Sequence, residues 1–359
     1  MLKGQSTMET TPKILILLTG GTIGSAVNDG CIDVDSSRSN DLFSIYKNLG
    51  KPTVDFEVFR PYNMLSENAE PKHWLQIIKT LQSYNLKNYT GVIIAHGSDT
   101  LPYTGAALCY GIDSPSIPIL LVAANFAIGE TNSNALANFS AGVDFICNLQ
   151  LPGFYTIYEN SDHKTYVHLA SRLLEADWLK DDFTSFGEPL GIFDSRGLCS
   201  TPSPQNPSML KLYNPTLDDV PCIKEFRNEI LALRAYPGLN YLCIDLKNRP
   251  IRAVLHSQYH CGSGNVLGEN GTALTDFIKN NPQVDHYLIS YKNISGDLYA
   301  SCHQLIAAGG IPLENISFEA ALTKLNFAYN QQEYSPQNYM QREFFYEFVR
   351  KTPEDGYVI

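Results

Sequence analysis

Thr19-Gly20-Gly21-Thr22-Ile23-Gly24 and His96-Gly97-Ser98-Asp99-Thr100 concentrate hydroxyls, glycines and one carboxylate at two points of the chain. Glycine lets the backbone approach a ligand closely, and a hydroxyl held among backbone N–H donors is a candidate nucleophile or orienting group for a substrate carbonyl. Thr22, Ser98 and Asp99 are therefore candidates for acyl chemistry. Taken singly, each turn reads first as a tight connection. Two such turns, both hydroxylated and one carrying a carboxylate, leave connection and active site evenly matched. Gly20-Gly21-x-x-Gly24 is not G-x-G-x-x-G and no G-K-[ST] follows, so a dinucleotide or P-loop site has little support.

Both turns end a short apolar run of β-forming residues, Lys13-Ile14-Leu15-Ile16-Leu17-Leu18 and Gly91-Val92-Ile93-Ile94-Ala95. In an open parallel sheet the carboxyl ends of strands are where ligands collect. After the second turn a helix is predicted from Leu101, with Asp99 or Thr100 as its cap and Pro102 in its first turn. Capping signals and periodicity predict another helix over residues 72–84. A further strand is predicted over residues 117–122. Alternating strands and helices favour an α/β fold with a mainly parallel sheet flanked by helices.

At 359 residues the chain exceeds what one core usually organises. Residues 12–194 form a larger N-terminal catalytic domain in this reading. A Pro-, Ser- and Asn-rich linker covers residues 195–222, a smaller C-terminal α/β domain residues 223–335, and a tail residues 336–359. Strands of the smaller domain are predicted at residues 241–244, 253–256 and 287–290, with a helix over 320–327. In the tail, Glu343-Phe344-Phe345-Tyr346-Glu347-Phe348-Val349 has an aromatic side at near-helical spacing and reads as a packing helix.

A net charge of −11 disfavours phosphate backbones and anionic membranes as partners, so neither nucleic acid nor membrane is expected. The N-terminal stretch MLKGQSTMETTPK lacks a secretory apolar core, which argues for a cytoplasmic protein. The eight cysteines include no C-x-x-C pair, and His256 and His260, four apart, enclose no glutamate. Neither a metal site nor a disulfide framework is signalled.

The first turn is similar to the T-G-G-T-I-[AG] segment of the L-asparaginase/glutaminase family. His96-Gly97-Ser98-Asp99-Thr100-Leu101 resembles its H-G-T-D-T-M segment, in the same order and at matching separation. Residues 99–108 continue like the type I, cytoplasmic branch. Gly262-Ser263-Gly264-Asn265 resembles G-V-G-N, and Glu319-Ala320-Ala321-Leu322-Thr323-Lys324-Leu325 resembles E-A-T-L-T-K-L. The likeness spans about residues 12 to 330 by element order. It implies hydrolysis of the side-chain amide of L-asparagine, and to varying extent L-glutamine, to the acid and ammonia. The means is a threonine nucleophile, without metal or cofactor, in a homodimer or homotetramer.

Carried over position by position, the resemblance puts Thr22 on the nucleophile and Ser98 and Asp99 on the first two members of a Thr-Asp-Lys set. Asp99 then holds the substrate's α-ammonium, and a helix-cap role stays open beside it. Ser66 falls on the serine gripping the α-carboxylate, supported by the spacing of Pro71 and Trp74. Glu67 stands where the family has a polar neutral residue. Asn265 completes the site from the smaller domain or serves as a turn residue. Arg172 falls at or near the family lysine, with Lys164 as second candidate. An arginine there steadies an anion but shuttles no proton.

Departures cluster around these positions. Cys31 replaces a tyrosine in the loop after the first motif. Val122-Ala123-Ala124-Asn125-Phe126-Ala127 stands for T-G-[SA]-Q-x-P, and Thr131-Asn132-Ser133-Asn134-Ala135-Leu136-Ala137-Asn138 for S-D-G-x-x-N. Two alternatives follow. One is a catalytically impaired relative that binds an amino acid or a protein partner. The other is an asparaginase-like component of a tRNA-dependent amidotransferase, which the acidic charge disfavours.

Overall fold

The computed structural model describes residues 11–21, 25–28, 31–34, 38–201, 203–215, 217–269, 271–290 and 298–349. Its strands are β1 (Lys13–Leu18), β2 (Ser25–Asn28), β3 (Cys31–Val34), β4 (Asp55–Phe59), β5 (Gly91–Ala95), β6 (Pro118–Val122), β7 (Gly153–Glu159), β8 (Thr165–Leu169), β9 (Gly191–Asp194) and β10 (Gly197–Ser200), then β11 (Ile230–Arg234), β12 (Ala253–Ser257), β13 (Asp285–Ser290) and β14 (Gly310–Glu314). The helices are α1 (Arg38–Asn48), α2 (Pro71–Ser83), α3 (Leu101–Gly111), α4 (Ala135–Leu149), α5 (Met209–Tyr213), α6 (Leu274–Asn280), α7 (Ala300–Ala307), α8 (Phe318–Asn330) and α9 (Pro336–Gln341).

The large sheet runs β10-β9-β8-β7-β6-β5-β1-β4, parallel from β4 through β7 and antiparallel beyond. Central strands β1, β5 and β6 are almost uninterrupted Ile, Leu and Val and are buried along their length, as strands covered on both faces must be. Helices α1 and α4 pack together, and α3 packs against α2 and α8. The smaller sheet, β11-β12-β13-β14, is parallel throughout. The α/β class with a larger, mainly parallel sheet and a smaller α/β unit is thus what the chain forms.

Several local expectations need correction. The apolar run at residues 241–244 is a single 3-10 turn, Tyr241–Cys243, because the Asn240 side chain accepts from the Leu242 N–H and closes the backbone locally. Residues 343–349 are not helical. Their aromatic rings are nonetheless core residues, with Phe345 packed edge-on against Phe154 and Tyr155. The boundary drawn at residue 194 falls within the β9–β10 hairpin, so the large sheet extends to Ser200.

The segment after α9 is fastened by two buried cations. Arg172 donates from Nη2 to the Phe348 carbonyl at 3.0 Å, from Nη1 to that of Gln205 at 2.8 Å, and from Nε to that of Tyr346. Lys324, wholly buried, pairs with Glu347 at 2.7 Å and donates to the Arg342 carbonyl. Its ammonium also lies over the rings of Phe348, Phe344 and Tyr110, at 4.4, 5.2 and 5.7 Å. Glu347 in turn accepts from the Phe344 and Phe345 N–H groups, so the buried pair is hydrogen-bonded at both ends.

Candidate active site

β1 pairs with β4 on one side and β5 on the other, so the chain steps outward to β4 and then crosses back over β1 to β5. Such a reversal opens a crevice beyond the strands' carboxyl ends. Three loops meet there. Gly21 N–H donates to the Met64 carbonyl at 3.3 Å and Met64 N–H to that of Thr19 at 3.2 Å, which zips the loop after β1 to the loop after β4. The Thr19 hydroxyl donates to the Ala95 carbonyl at 2.9 Å and ties in the end of β5.

Glycine is required where these loops touch. Gly21 has φ +74°, and a Cβ there would lie 2.4 Å from the Gly97 nitrogen; one on Gly97 would lie 2.4 Å from Ser66 Oγ. The two glycine turns are therefore in backbone contact, with Ser66 against them. Ser66 is buried, and its hydroxyl donates to Asp99 Oδ2 at 3.3 Å. Thr100 Oγ1 donates to the Ser66 carbonyl at 2.9 Å. Asp99 does not cap α3. Its neighbour Thr100 is the N-cap residue and makes no side-chain cap bond. The Asp99 carboxylate is left exposed at the mouth of the crevice beside half-buried Ser98, while Glu67 is exposed one residue beyond Ser66.

Thr22 lies outside the described residues, immediately after Gly21. Cys31 is described by its backbone alone, opposite Asn28 in the β2–β3 hairpin. Arg172 is not brought to this site: its guanidinium is spent on the carbonyls of residues 205, 346 and 348. Lys164 is exposed in the β7–β8 turn and pairs with Asp162 at 3.2 Å. Asn265 is exposed and acts as a turn residue, its Oδ1 accepting from the Leu267 N–H at 3.1 Å. In the loop after β6, Asn125 and Asn134 clasp each other reciprocally, each Oδ1 accepting the other's backbone N–H at 3.0 Å.

One group near the turn was not anticipated. Tyr103, in the first turn of α3, donates to Glu175 Oε1 at 2.5 Å, and the Glu175 N–H donates to Glu319 Oε1 at 3.1 Å. Burial pushes the Glu319 carboxyl up, against the pull of the N–H groups it accepts. Glu175 and Glu319 line a cleft of about 560 Å³ shared with Arg234 and Ser257 of the smaller sheet. Glu319 was visible in its motif, but nothing in sequence links it to Glu175, 144 residues away. Among the described residues no cluster of His, Cys, Asp and Glu is arranged to hold a metal ion. No described helix is long and apolar enough to cross a membrane.

Two touching glycine turns at the strand ends of a reversing sheet, edged by a serine-held carboxylate, are thus what this α/β protein assembles. Residues 13–184 match the family model described as Asparaginase, N-terminal. The chain thus carries an asparaginase-type N-terminal domain. It is 25% identical over 320 residues to an L-asparaginase of Thermococcus kodakarensis, covering 88% of this chain and 92% of that one. It is 26% identical over 336 residues to a glutamyl-tRNA(Gln) amidotransferase subunit of Saccharolobus solfataricus, covering 87% and 70%. Among solved structures, the thermostable L-asparaginase of Thermococcus kodakarensis superposes with a TM-score of 0.76 at 23% identity, over 94% of this chain and 100% of that one. L-asparaginase I of Vibrio cholerae gives 0.71 at 22%, over 95% and 100%.

Proposed function

We propose that this chain hydrolyses the side-chain amide of L-asparagine, with L-glutamine as a second candidate substrate, releasing ammonia through attack by the Thr22 hydroxyl. The observation that carries this reading is the contact between the Gly21 and Gly97 backbones, with Ser66 bonded to Asp99 beside it. Thr22 follows Gly21 directly in the chain, and Gly21 touches the turn that carries Ser98 and Asp99. Asp99 binds the substrate's α-ammonium, a carboxylate facing a cation. Ser66, with Glu67 next to it, completes the binding set, while Asn265 keeps the turn role that its hydrogen bond gives it. We place the enzyme in the cytoplasm as a homodimer or homotetramer. Its test is ammonia release from asparagine and glutamine by the wild type and by Thr22→Ala. Turnover by the wild type that drops on the order of 1,000-fold in the variant is expected for loss of a nucleophile; equal rates would remove the reading.

A catalytically impaired relative that binds an amino acid is the second reading. It is favoured by the engagement of Arg172 and Lys164 elsewhere and by the carboxylate of Glu175 standing beside α3. Calorimetry with L-aspartate showing binding, together with no ammonia release from any amide, would select it.

A further inference from the structure

His96 sits between the last residue of β5 and the first turn of α3, 1% exposed. Its Nδ1 is 2.8 Å from the Gly97 carbonyl oxygen and its Nε2 is 3.0 Å from Thr104 Oγ1, a hydroxyl with no exposure at all. A carbonyl only accepts, so Nδ1 carries the proton; Nε2 of the neutral ring then accepts from the threonine hydroxyl. Desolvation pushes the ring's pKa down to about 4, with the Gly97 carbonyl and Asp99 pulling the other way, so this tautomer is the form present at neutral pH.

The consequence lies in the peptide that follows. In a trans peptide the carbonyl and the N–H point in opposite directions. With the Gly97 oxygen drawn inward to His96, the Ser98 N–H is turned outward. No backbone carbonyl among the described residues accepts from it. Among the described residues the His96 ring is the hydrogen-bonding partner of the Gly97 carbonyl; close packing against Gly21 and Ser66 confines the glycine but bonds neither end of the peptide.

We propose that His96 is a positioning residue that fixes the Gly97–Ser98 peptide, and so aims the Ser98 N–H and hydroxyl at the substrate amide. The role rests on the amidase reading above. It differs from that of a satisfied core histidine because it depends on one ring nitrogen. The Nδ1 contact aims the peptide, whereas the Nε2 contact anchors only the ring to α3.

Isosteric replacement separates the two. Asparagine presents an amide N–H near the Nδ1 position, and glutamine presents an amide oxygen near the Nε2 position. We expect His96→Asn to keep kcat within about threefold of the wild type. We expect His96→Gln and His96→Leu to lose on the order of 100-fold in kcat, the scale of a misaimed catalytic group, with a smaller change in KM. Thermal midpoints measured alongside would show the Asn and Gln variants similarly destabilised. Equal kcat in those two variants, or an unaltered kcat in His96→Leu, overturns the positioning role while leaving the amidase reading standing. A wild type that releases no ammonia overturns that reading first. In that case L-aspartate affinity, read by calorimetry, is expected to fall in the same order across the variants, and equal affinities overturn the positioning role as well.

Discussion

Acid should unfold this protein in a pH range where most of its carboxylates are still ionised, because several histidines are buried as neutral rings. His96, His168 and His256 are almost fully enclosed, and burial is the leading cause that brings them to about 4, 3 and 3 respectively; for His256 the adjacent His286 ring adds to it. His286 is lowered in the same direction, again chiefly by burial. His256 Nε2 and His286 Nδ1 are 3.1 Å apart in stacked rings, and no described group accepts a proton from His256 Nδ1. In the unfolded chain each ring titrates near 6.5. The native state binds fewer protons than the unfolded state between these limits, so stability is complete above pH 6.5 and falls as pH drops toward 4. pH 5 lies about 1.5 units below the unfolded pKa, so keeping each ring neutral there costs about 2 kcal/mol, or roughly 6 kcal/mol for the three. That is comparable to the whole stability of many domains. Urea midpoints followed by far-UV circular dichroism from pH 8 to 4.5 measure the effect, and His168→Gln should remove about a third of the pH dependence. Midpoints that stay flat between pH 7.5 and 5, or a His168→Gln slope equal to the wild type's, would refute the reasoning.

Two further outcomes follow from the packing and the site. Lys324→Met leaves Glu347 charged and buried without its cation, at an expected cost of about 3–5 kcal/mol in denaturant unfolding; adding Glu347→Gln should recover part of it. Ser66→Ala removes the hydroxyl that steadies Asp99, and calorimetry should show L-aspartate binding at least about tenfold more weakly, with little change in thermal midpoint.

The parts of this fold that sequence disclosed are those whose physics is local. β1, β5 and β6 are apolar runs bounded by glycine or proline, and α2 begins within a residue of its predicted start because Pro71 suits a first helical turn. β11 and β14 escaped notice for different reasons. Ile230-Leu231-Ala232-Leu233 follows a glutamate and precedes an arginine, a composition equally at home in a helix, and becomes a strand only by pairing with β12. β14 contains Pro312, which a central strand would not tolerate but an edge strand does. At the site, the glycine turns and Ser66 were legible as motif positions. The fate of Arg172 was not, because what satisfies its guanidinium arrives 33 to 176 residues later and carries no local signal.

That long reach bears on how the molecule is made. Phe154, Ser171 and Arg172 belong to the first half of the chain, yet the rings and carbonyls that close over them come from residues 345, 346 and 348. At a translation speed of about 5–20 residues per second, Arg172 waits roughly ten to thirty seconds on the ribosome before Tyr346 exists. Over that interval the nascent large sheet has an open seam, and of the acceptors of Arg172 only those at Gln205 and Asn206 have been made. It is during those seconds that the polypeptide would depend on chaperones.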